Sequence, residues 1–395
     1  MTKGLNKLNI QALELFSGIG GFRIALDQAG IETIWANDID KIACEVYRDD
    51  FGDKEIVEGD IWKLIEKTPS HNLLTAGFPC QPFSSAGKKR GIEDPRGTLF
   101  AAIVKILEKH QPDYFILENV KRLLLMDEGK HFATILDALA SLDYRIEWRV
   151  LNAADFALPQ NRQRIFITGT HHRVLNSAGM KCDDENAIKL ATDEDLDRIS
   201  DFKKSIIQNS DEWKSIVDHG RFKNWGIACG GKYVTEQLHT FSSSYKPVSL
   251  AQVLEKSPHP RFDLTESTLD RLTSNRHVRK MIAGVEVVSN QSGGARMGYT
   301  IYGINGIAPT LTSSTSRHYE RYFINDRYRR LSNIEYARIQ GFPDNHCKSA
   351  TLRDQYVLYG NAVPPNMVHW VVEQLTKPYD MNNIKLTERQ LALYA

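Results

Sequence analysis

The sequence predicts an α/β fold in which a doubly wound, mostly parallel sheet carries a second, smaller, irregular and β-leaning domain. Two observations carry that prediction. Up to about residue 170, short apolar runs alternate with amphipathic stretches, as they do when each helix crosses over a sheet to the next strand. After about residue 172 this regularity fades into Gly/Ser/Thr-rich patches such as Ser242-Ser243-Ser244, Ser292-Gly293-Gly294 and Thr312-Ser313-Ser314-Thr315-Ser316. Helical patterning returns from Arg330. The resulting division is 1–180 for the first part of the larger domain, 181–327 for the smaller one, and 328–395 for a return segment completing the larger.

The expected strands are Ile10–Phe16, Thr33–Asn37, Glu55–Glu58, Leu73–Ala76, Tyr114–Glu118, Glu147–Leu151 and Arg164–Thr168, each a short run bounded by turn or polar residues. Between them lie helical patterns over Phe22–Ala29, closed by Gly30, and over Lys41–Asp49, Leu99–Lys109 and His131–Leu142. In the third, Leu99, Ile103, Ile106 and Leu107 recur on one face. A final helix is expected over Asn366–Thr376. Ligands of such a sheet bind at the carboxyl ends of its strands.

Composition places the 395-residue chain among soluble globular proteins, with 42% hydrophobic and 25% charged residues and a mean hydropathy of −0.39. No run approaches the ~18–20 apolar residues of a membrane span, and the start lacks a secretory signal. A cytoplasmic location is therefore expected. Five cysteines (Cys44, Cys80, Cys182, Cys229, Cys347) are scattered without a C-x-x-C pair. That pattern argues against a disulfide framework or a zinc knuckle, and no metal is expected. The net charge of +1 hides two unlike segments. Residues 183–201 hold eight acidic residues against Lys189 and Arg198, the pattern of a solvated helical insertion. Residues 271–330 hold ten Lys/Arg against Glu286, Glu320 and Asp326, interleaved with tyrosines, which suits a polyanion-binding surface as well as a plain solvated face.

The stretch "ELFSGIGGFRIAL" at 14–26 runs a strand through Gly18-x-Gly20-Gly21 into a helix, so that backbone can approach a ligand at the helix start. Arg23 stands where the dinucleotide fingerprint requires its third glycine. Asp38 follows the second strand, placed to accept from ribose hydroxyls, and Asp60 ends the third strand in "EGDI". The set suits a nucleoside without a pyrophosphate, S-adenosylmethionine better than NAD. In "LLTAGFPCQPFSSAG", 73–87, a buried strand gives way to Cys80 between two prolines, poor placement for core packing. A thiol of pKa about 8.5 needs help to act as a nucleophile. The next strand ends in "ILENV", which puts Glu118 and Asn119 at a neighbouring carboxyl end.

Taken in order, "FSGIGG", "GFPCQPFS", "ENV" at 118–120, "QNRQR" at 160–164, "RLSNIEYARIQGFP" at 330–343 and "GNAVPP" at 360–365 resemble the cytosine-C5 DNA methyltransferases of the compact bacterial or phage restriction–modification type. The resemblance covers most of 10–171 and 328–376. It implies a Rossmann-like S-adenosylmethionine-dependent sheet with a target-recognition domain at about 172–327. It implies Cys80 as nucleophile toward C6 of a flipped-out cytosine, Glu118 holding N3 and the exocyclic amine, and Arg162 and Arg164 supporting the base and that carboxylate. The alternative reading of Gln160 and Arg164 is a mainly structural role.

Phe16, Gly18, Gly20, Asp38, Ile39, Asp60, Ile61, Pro79, Leu99 and Asn361 map to the cofactor, with S-adenosyl-L-homocysteine as its product. Ser84, Ser85, Lys88, Lys89 and Arg96 fall in a loop, Ser84–Gly97, expected to close over DNA. Thr310 and Leu311 in "APTLTSS" map to DNA contact, and Arg296, Arg317, His318 and Arg321 are candidates for base or phosphate contact. Double-stranded DNA is the implied partner of a monomer, with a cognate restriction endonuclease acting separately. The competing readings are a tRNA cytosine methyltransferase of the same family, a catalytically dead DNA-binding homologue, and, from the glycine turn alone, a nicotinamide dehydrogenase.

Overall fold

The computed structural model of the protein describes residues 10–79, 99–192, 194–195, 211–212, 222–238, 241, 245–273, 276–290, 300–313 and 320–379. Ten described strands form the larger sheet: β1 (Gln11–Leu15), β2 (Glu32–Asp38), β3 (Ile56–Glu58), β4 (Leu73–Gly77), β5 (Tyr114–Val120), β6 (Tyr144–Asn152), β7 (Gln163–His171), β8 (Asp211–Glu212), β9 (Trp225–Cys229) and β10 (Lys232–Glu236). Their order is β3-β2-β1-β4-β5-β7-β6-β9-β10-β8. Pairings from β3 through β5 are parallel, and those from β5 to β8 are antiparallel. Strand order reverses between β1 and β4, which opens a crevice outside their carboxyl ends.

The eleven described α-helices are α1 (Gly21–Ala29), α2 (Lys41–Phe51), α3 (Ile61–Leu64), α4 (Leu99–His110), α5 (Lys130–Ala140), α6 (His172–Ser177), α7 (Leu250–Val253), α8 (Glu266–Thr273), α9 (Asn333–Gln340), α10 (Leu352–Asn361) and α11 (Pro365–Thr376). Alternation along the strands decides which helix covers which face. Leu13, Leu15, Leu74, Ala76 and Leu117 point to the face covered by α4 and α5, through Ile103, Ile106, Phe132 and Leu136. Ala12, Leu73, Ile116 and Phe166 point to the other, covered by α1 and α11 through Phe22, Leu26, Met367, Val368 and Val372. Both faces are therefore buried, as a doubly wound sheet requires.

A second sheet of five described strands runs in chain order: β11 (Arg276–Ile282), β12 (Val285–Asn290), β13 (Ile301–Tyr302), β14 (Arg321–Ile324) and β15 (Arg327–Arg329). Its apolar face shares one core with α9 and α10, through Val287, Tyr302 and Tyr322 against Tyr336, Ile339 and Tyr356. Segment 181–327 is thus shared between the sheets, since β8, β9 and β10 extend the larger one.

Two expectations are corrected here. The acidic segment is not wholly a solvated insertion. Asp195 is buried in a 2.6 Å ion pair with Arg149, and Glu147 accepts from the N–H groups of Lys189 and Leu190, both at 2.8 Å, and from the Trp225 indole at 3.0 Å. Buried charges on β6 therefore recruit that segment, because a charge in a sheet interior must be paired. Nor are all the cysteines apart. Cys182 and Cys229 lie side by side, their Cα atoms 6.0 Å apart and their sulfurs at bonding distance.

Candidate active site

The carboxyl ends of β1, β2 and β3 are tied together by short hydrogen bonds. After β1 the chain turns through Phe16 and Gly18, both at positive φ, and the Gly18 N–H donates to Asp38 Oδ2 at 2.8 Å. The other Asp38 oxygen accepts from the Asp40 N–H at 2.9 Å. Buried Asn37 donates to the carbonyls of Val57 and Gly59, at 2.8 and 2.9 Å, fixing β2 to β3. Burial raises the Asp38 carboxyl above its ordinary range, while the N–H groups of Asp40 and Gly18 pull it back. Asp60 caps α3 by accepting from the Trp62 N–H at 3.1 Å. Beside these acceptors Ile39 is 71% exposed, an apolar side chain held in the open next to carboxylates. Ile61, by contrast, is buried. Pro79 and Asn361 are exposed, and Leu99 and Phe16 are half-buried.

Gly21 explains how the C-terminal segment reaches this crevice. A Cβ there would sit 2.3 Å from the Val363 carbonyl oxygen, so only glycine lets "GNAVPP" approach the start of α1. Asn361 lies two residues before that contact. The expected cofactor residues Phe16, Gly18, Gly20, Asp38, Ile39, Asp60 and Pro79 thus converge on the strand ends at the switch point.

One strand over, β5 delivers Glu118 to the carboxyl end beside Gly77, its parallel partner on β4. Arg164 lies across the antiparallel pairing of β5 with β7, and its Nε meets Glu118 Oε1 at 2.9 Å, both side chains about one-eighth exposed. The second oxygen lies over Gly77. Burial pushes the Glu118 carboxyl up, and the guanidinium groups of Arg164 and Arg162 only partly oppose this. The result is a carboxyl that holds its proton more tightly than an ordinary glutamate, with one edge held by Arg164.

Asn119, next in the chain, is buried and donates to the Phe78 carbonyl at 2.9 Å. It therefore fixes the turn that leads out of β4 into Pro79. Sequence reasoning placed Asn119 here without a task; a polar residue at the buried end of an apolar strand was the signal.

Arg162 and Gln160 do something other than touch the carboxylate. Arg162, 1% exposed, donates to the carbonyls of Leu311 (2.9 Å), Gly360 (3.0 Å) and Ala362 (2.9 Å). Gln160 accepts from the Leu311 N–H at 2.9 Å and donates to Gln340 Oε1 at 2.7 Å. A Cβ on Gly360 would stand 2.4 Å from the Thr312 carbonyl carbon. "QNRQR", "APTLTSS" and "GNAVPP" are thus one buried knot. The Arg162 side chain donates to backbone carbonyls, and it acts on Glu118 through its charge.

Leu311 lies inside the protein. Its side chain is fully buried and packs in the second core, so as folded it offers no surface to DNA. Thr310 donates to the Asn161 carbonyl at 2.5 Å. Arg321 is half-buried on β14. Cys80, Ser84, Ser85, Lys88, Lys89, Arg96, Arg296, Arg317 and His318 lie outside the described residues. Two other cysteines are eliminated as nucleophiles: burial pushes the Cys44 and Cys347 thiols up to about 12.

A family model described as C-5 cytosine-specific DNA methylase matches residues 10–377. The Type II methyltransferase M1.ScrFI of Lactococcus lactis subsp. cremoris is 31% identical over 92% of this chain and 77% of its own length. The Type II methyltransferase M.HhaI of Haemophilus parahaemolyticus is 30% identical over 94% of this chain and 97% of its own. Among solved structures, a Spodoptera frugiperda DNMT2 mutant superposes with a TM-score of 0.60 at 18% identity, covering 93% of this chain and all of that one. At that identity the superposition speaks to the fold alone.

Proposed function

Because the chain belongs to the C-5 cytosine-specific DNA methylases, we propose that it methylates C5 of a cytosine flipped out of a short duplex sequence, through a transient bond from Cys80 to C6. The observation that carries this is the Glu118 carboxyl, raised by burial and clamped on one edge by Arg164, one strand from the turn that Asn119 pins.

C5 of cytosine is a weak nucleophile. Addition of the Cys80 thiolate to C6 forms an S–C bond and shifts the ring's electron pair toward C5. Glu118 donates its proton to N3 and accepts from the exocyclic amine through the same edge, which neutralises the charge that builds on the ring and reads the base. S-adenosyl-L-methionine supplies the electrophilic methyl group and leaves as S-adenosyl-L-homocysteine. A base then takes the C5 proton, the C6–S bond breaks, Cys80 regains its electron pair as thiolate, and N3 returns its proton to Glu118. The target atom is inaccessible inside a duplex, so the cytosine must leave the stack, at a cost of a few kcal/mol.

The cofactor fits the residues present. Ile39 offers an apolar face in the open, Asp38 and Asp60 offer carboxylates at the same strand ends, and the chain turns tightly at Gly18 and Gly20 where a methionine moiety would pass. Pro79, Leu99 and Asn361 border the crevice from β4, α4 and the return segment. Arg321, with Arg296, Arg317 and the loop bearing Ser84, Ser85, Lys88, Lys89 and Arg96, supplies contacts to DNA. Thr310 and Leu311 act by anchoring that region to Asn161 and Gln160. The enzyme works as a monomer on DNA, as the modification partner of a separate endonuclease. No described helix is long and apolar enough to cross a membrane.

Transfer of tritiated methyl from S-adenosyl-L-methionine to duplex DNA and to tRNA, with wild type and Cys80→Ala, tests this. Label should enter DNA and vanish in the variant, and a duplex bearing 5-fluorocytosine should trap a covalent complex. Label in tRNA alone, or undiminished transfer by Cys80→Ala, would overturn the reading.

A further inference from the structure

The end of the larger sheet opposite Glu118 carries a second cluster. β5 begins there at Tyr114, paired with Thr170 of β7, and α6 opens one residue beyond β7 with His172. The chain leaving α6 brings Cys182 back to the sheet edge, where buried Arg145 of β6 donates to its carbonyl at 2.7 Å and to that of Asp184 at 3.0 Å. Cys229 arrives from the end of β9, whose Ala228 pairs with Ile146. Three separate segments thus place two sulfurs and one imidazole nitrogen within 4.8 Å of one another.

Three features distinguish this group from a chance meeting. The Nε2 of His172 is buried and has no hydrogen-bond partner among the described residues. The cluster borders a cavity of about 570 Å³, with Asp183, Asp184 and Glu185 on its wall. Arg145 holds the backbone on both sides of Asp183, so the position of Cys182 is set by the fold. A disulfide would employ the sulfurs and leave the imidazole nitrogen orphaned. A thiophilic divalent cation would employ all three donors, and the acidic wall or water would supply the fourth.

We propose that, in the reduced protein, His172, Cys182 and Cys229 bind a zinc-like divalent cation that staples the Cys182 segment to the end of β9. Reduction of a Cys182–Cys229 bond by an added dithiol takes two electrons and two protons and yields two thiols. The cation then replaces both thiol protons and accepts the lone pair of a His172 ring nitrogen. This is a structural site, set at the sheet end remote from Glu118.

The test is metal analysis of full-length protein, purified with zinc and a dithiol and then freed of loose metal. The expected result is about one zinc per chain, kept in Cys80→Ser and lost in Cys182→Ser and Cys229→Ser. His172→Ala, which keeps both thiols, should weaken binding about tenfold or more while methyl transfer to DNA continues. Cobalt substitution should give a thiolate-to-metal charge-transfer band that the same variants abolish. Zinc-free protein whose two thiols alkylate freely would overturn the proposal. So would zinc-free protein whose thiols are released only by the dithiol, which would leave a plain disulfide, and so would zinc retained by all three variants.

Discussion

At the scale of single residues, the chemistry turns on a carboxyl whose proton affinity is raised by its surroundings. For Glu118 the dominant influence is loss of water, which favours the neutral acid; the nearby charge of Arg164 opposes it. As pH rises through its raised pKa, Glu118 loses the proton it would give to N3, and the rate should fall along that limb. Replacing Arg164 with alanine removes an influence that lowers the pKa, so the falling limb should move to higher pH. Arg164→Lys, which keeps the charge without the fixed guanidinium geometry, should fall between. The check is the pH dependence of kcat for methyl transfer in the three proteins. A limb that moved to lower pH in Arg164→Ala would contradict the assignment, and one that stayed in place would make Arg164 purely structural. Glu118 was legible in the sequence because a charged residue ending an apolar strand is conspicuous. Which edge of it is held was not legible, since that depends on β7 lying antiparallel beside β5.

At the scale of elements, the same pairing explains what local pattern reads and what it misses. The helix expected over Phe22–Ala29 is observed as Gly21–Ala29, because its periodicity and its closing Gly30 are local. The strand expected over Tyr114–Glu118 continues to Val120, because β7 extends the ladder to the Val120–Arg164 pair. β8 to β10 were missed as parts of the larger sheet because only β6 makes them so. The knot around Arg162 is equally nonlocal: its three acceptors come from residues 149 to 200 positions later in the chain. Arg162→Ala would leave the Leu311 and Gly360 carbonyls without their donor and Ala362 with only the Gln340 amide at 3.4 Å, at about 1–3 kcal/mol for each carbonyl left unpaired before relaxation. A loss of about 3–5 kcal/mol in stability is expected, read as a fall in the urea midpoint. Arg162→Lys should recover only part, because an ammonium cannot reach three carbonyls with the guanidinium's spread of donors. A loss under about 1 kcal/mol in Arg162→Ala would show that the knot contributes little.

At the scale of the whole molecule, the return segment is what makes the two sheets one enzyme. Its last described helix, α11, buries Met367, Val368, Trp370, Val371, Val372 and Leu375 against the sheet face that α1 also covers. α9 and α10 of the same segment complete the core of the smaller sheet. The sequence indicated a closing segment through "GNAVPP", yet not that it would serve both cores, because no local pattern records which faces a late helix covers. A chain ending at residue 327 would expose both apolar faces and leave Arg162 with one of its three carbonyl partners. Such a chain should be insoluble, or soluble only as a state lacking fixed tertiary structure. In either case it should fail to bind S-adenosyl-L-methionine by calorimetry, although Phe16, Asp38, Asp60 and Pro79 all remain in it. Co-expression with a separate chain of residues 328–395 should restore solubility and binding together, because the missing contacts are packing and hydrogen bonds rather than chain continuity. Cofactor binding by residues 1–327 alone at wild-type affinity would show that the crevice is built without the return segment, and that the Gly21–Val363 approach has no part in it.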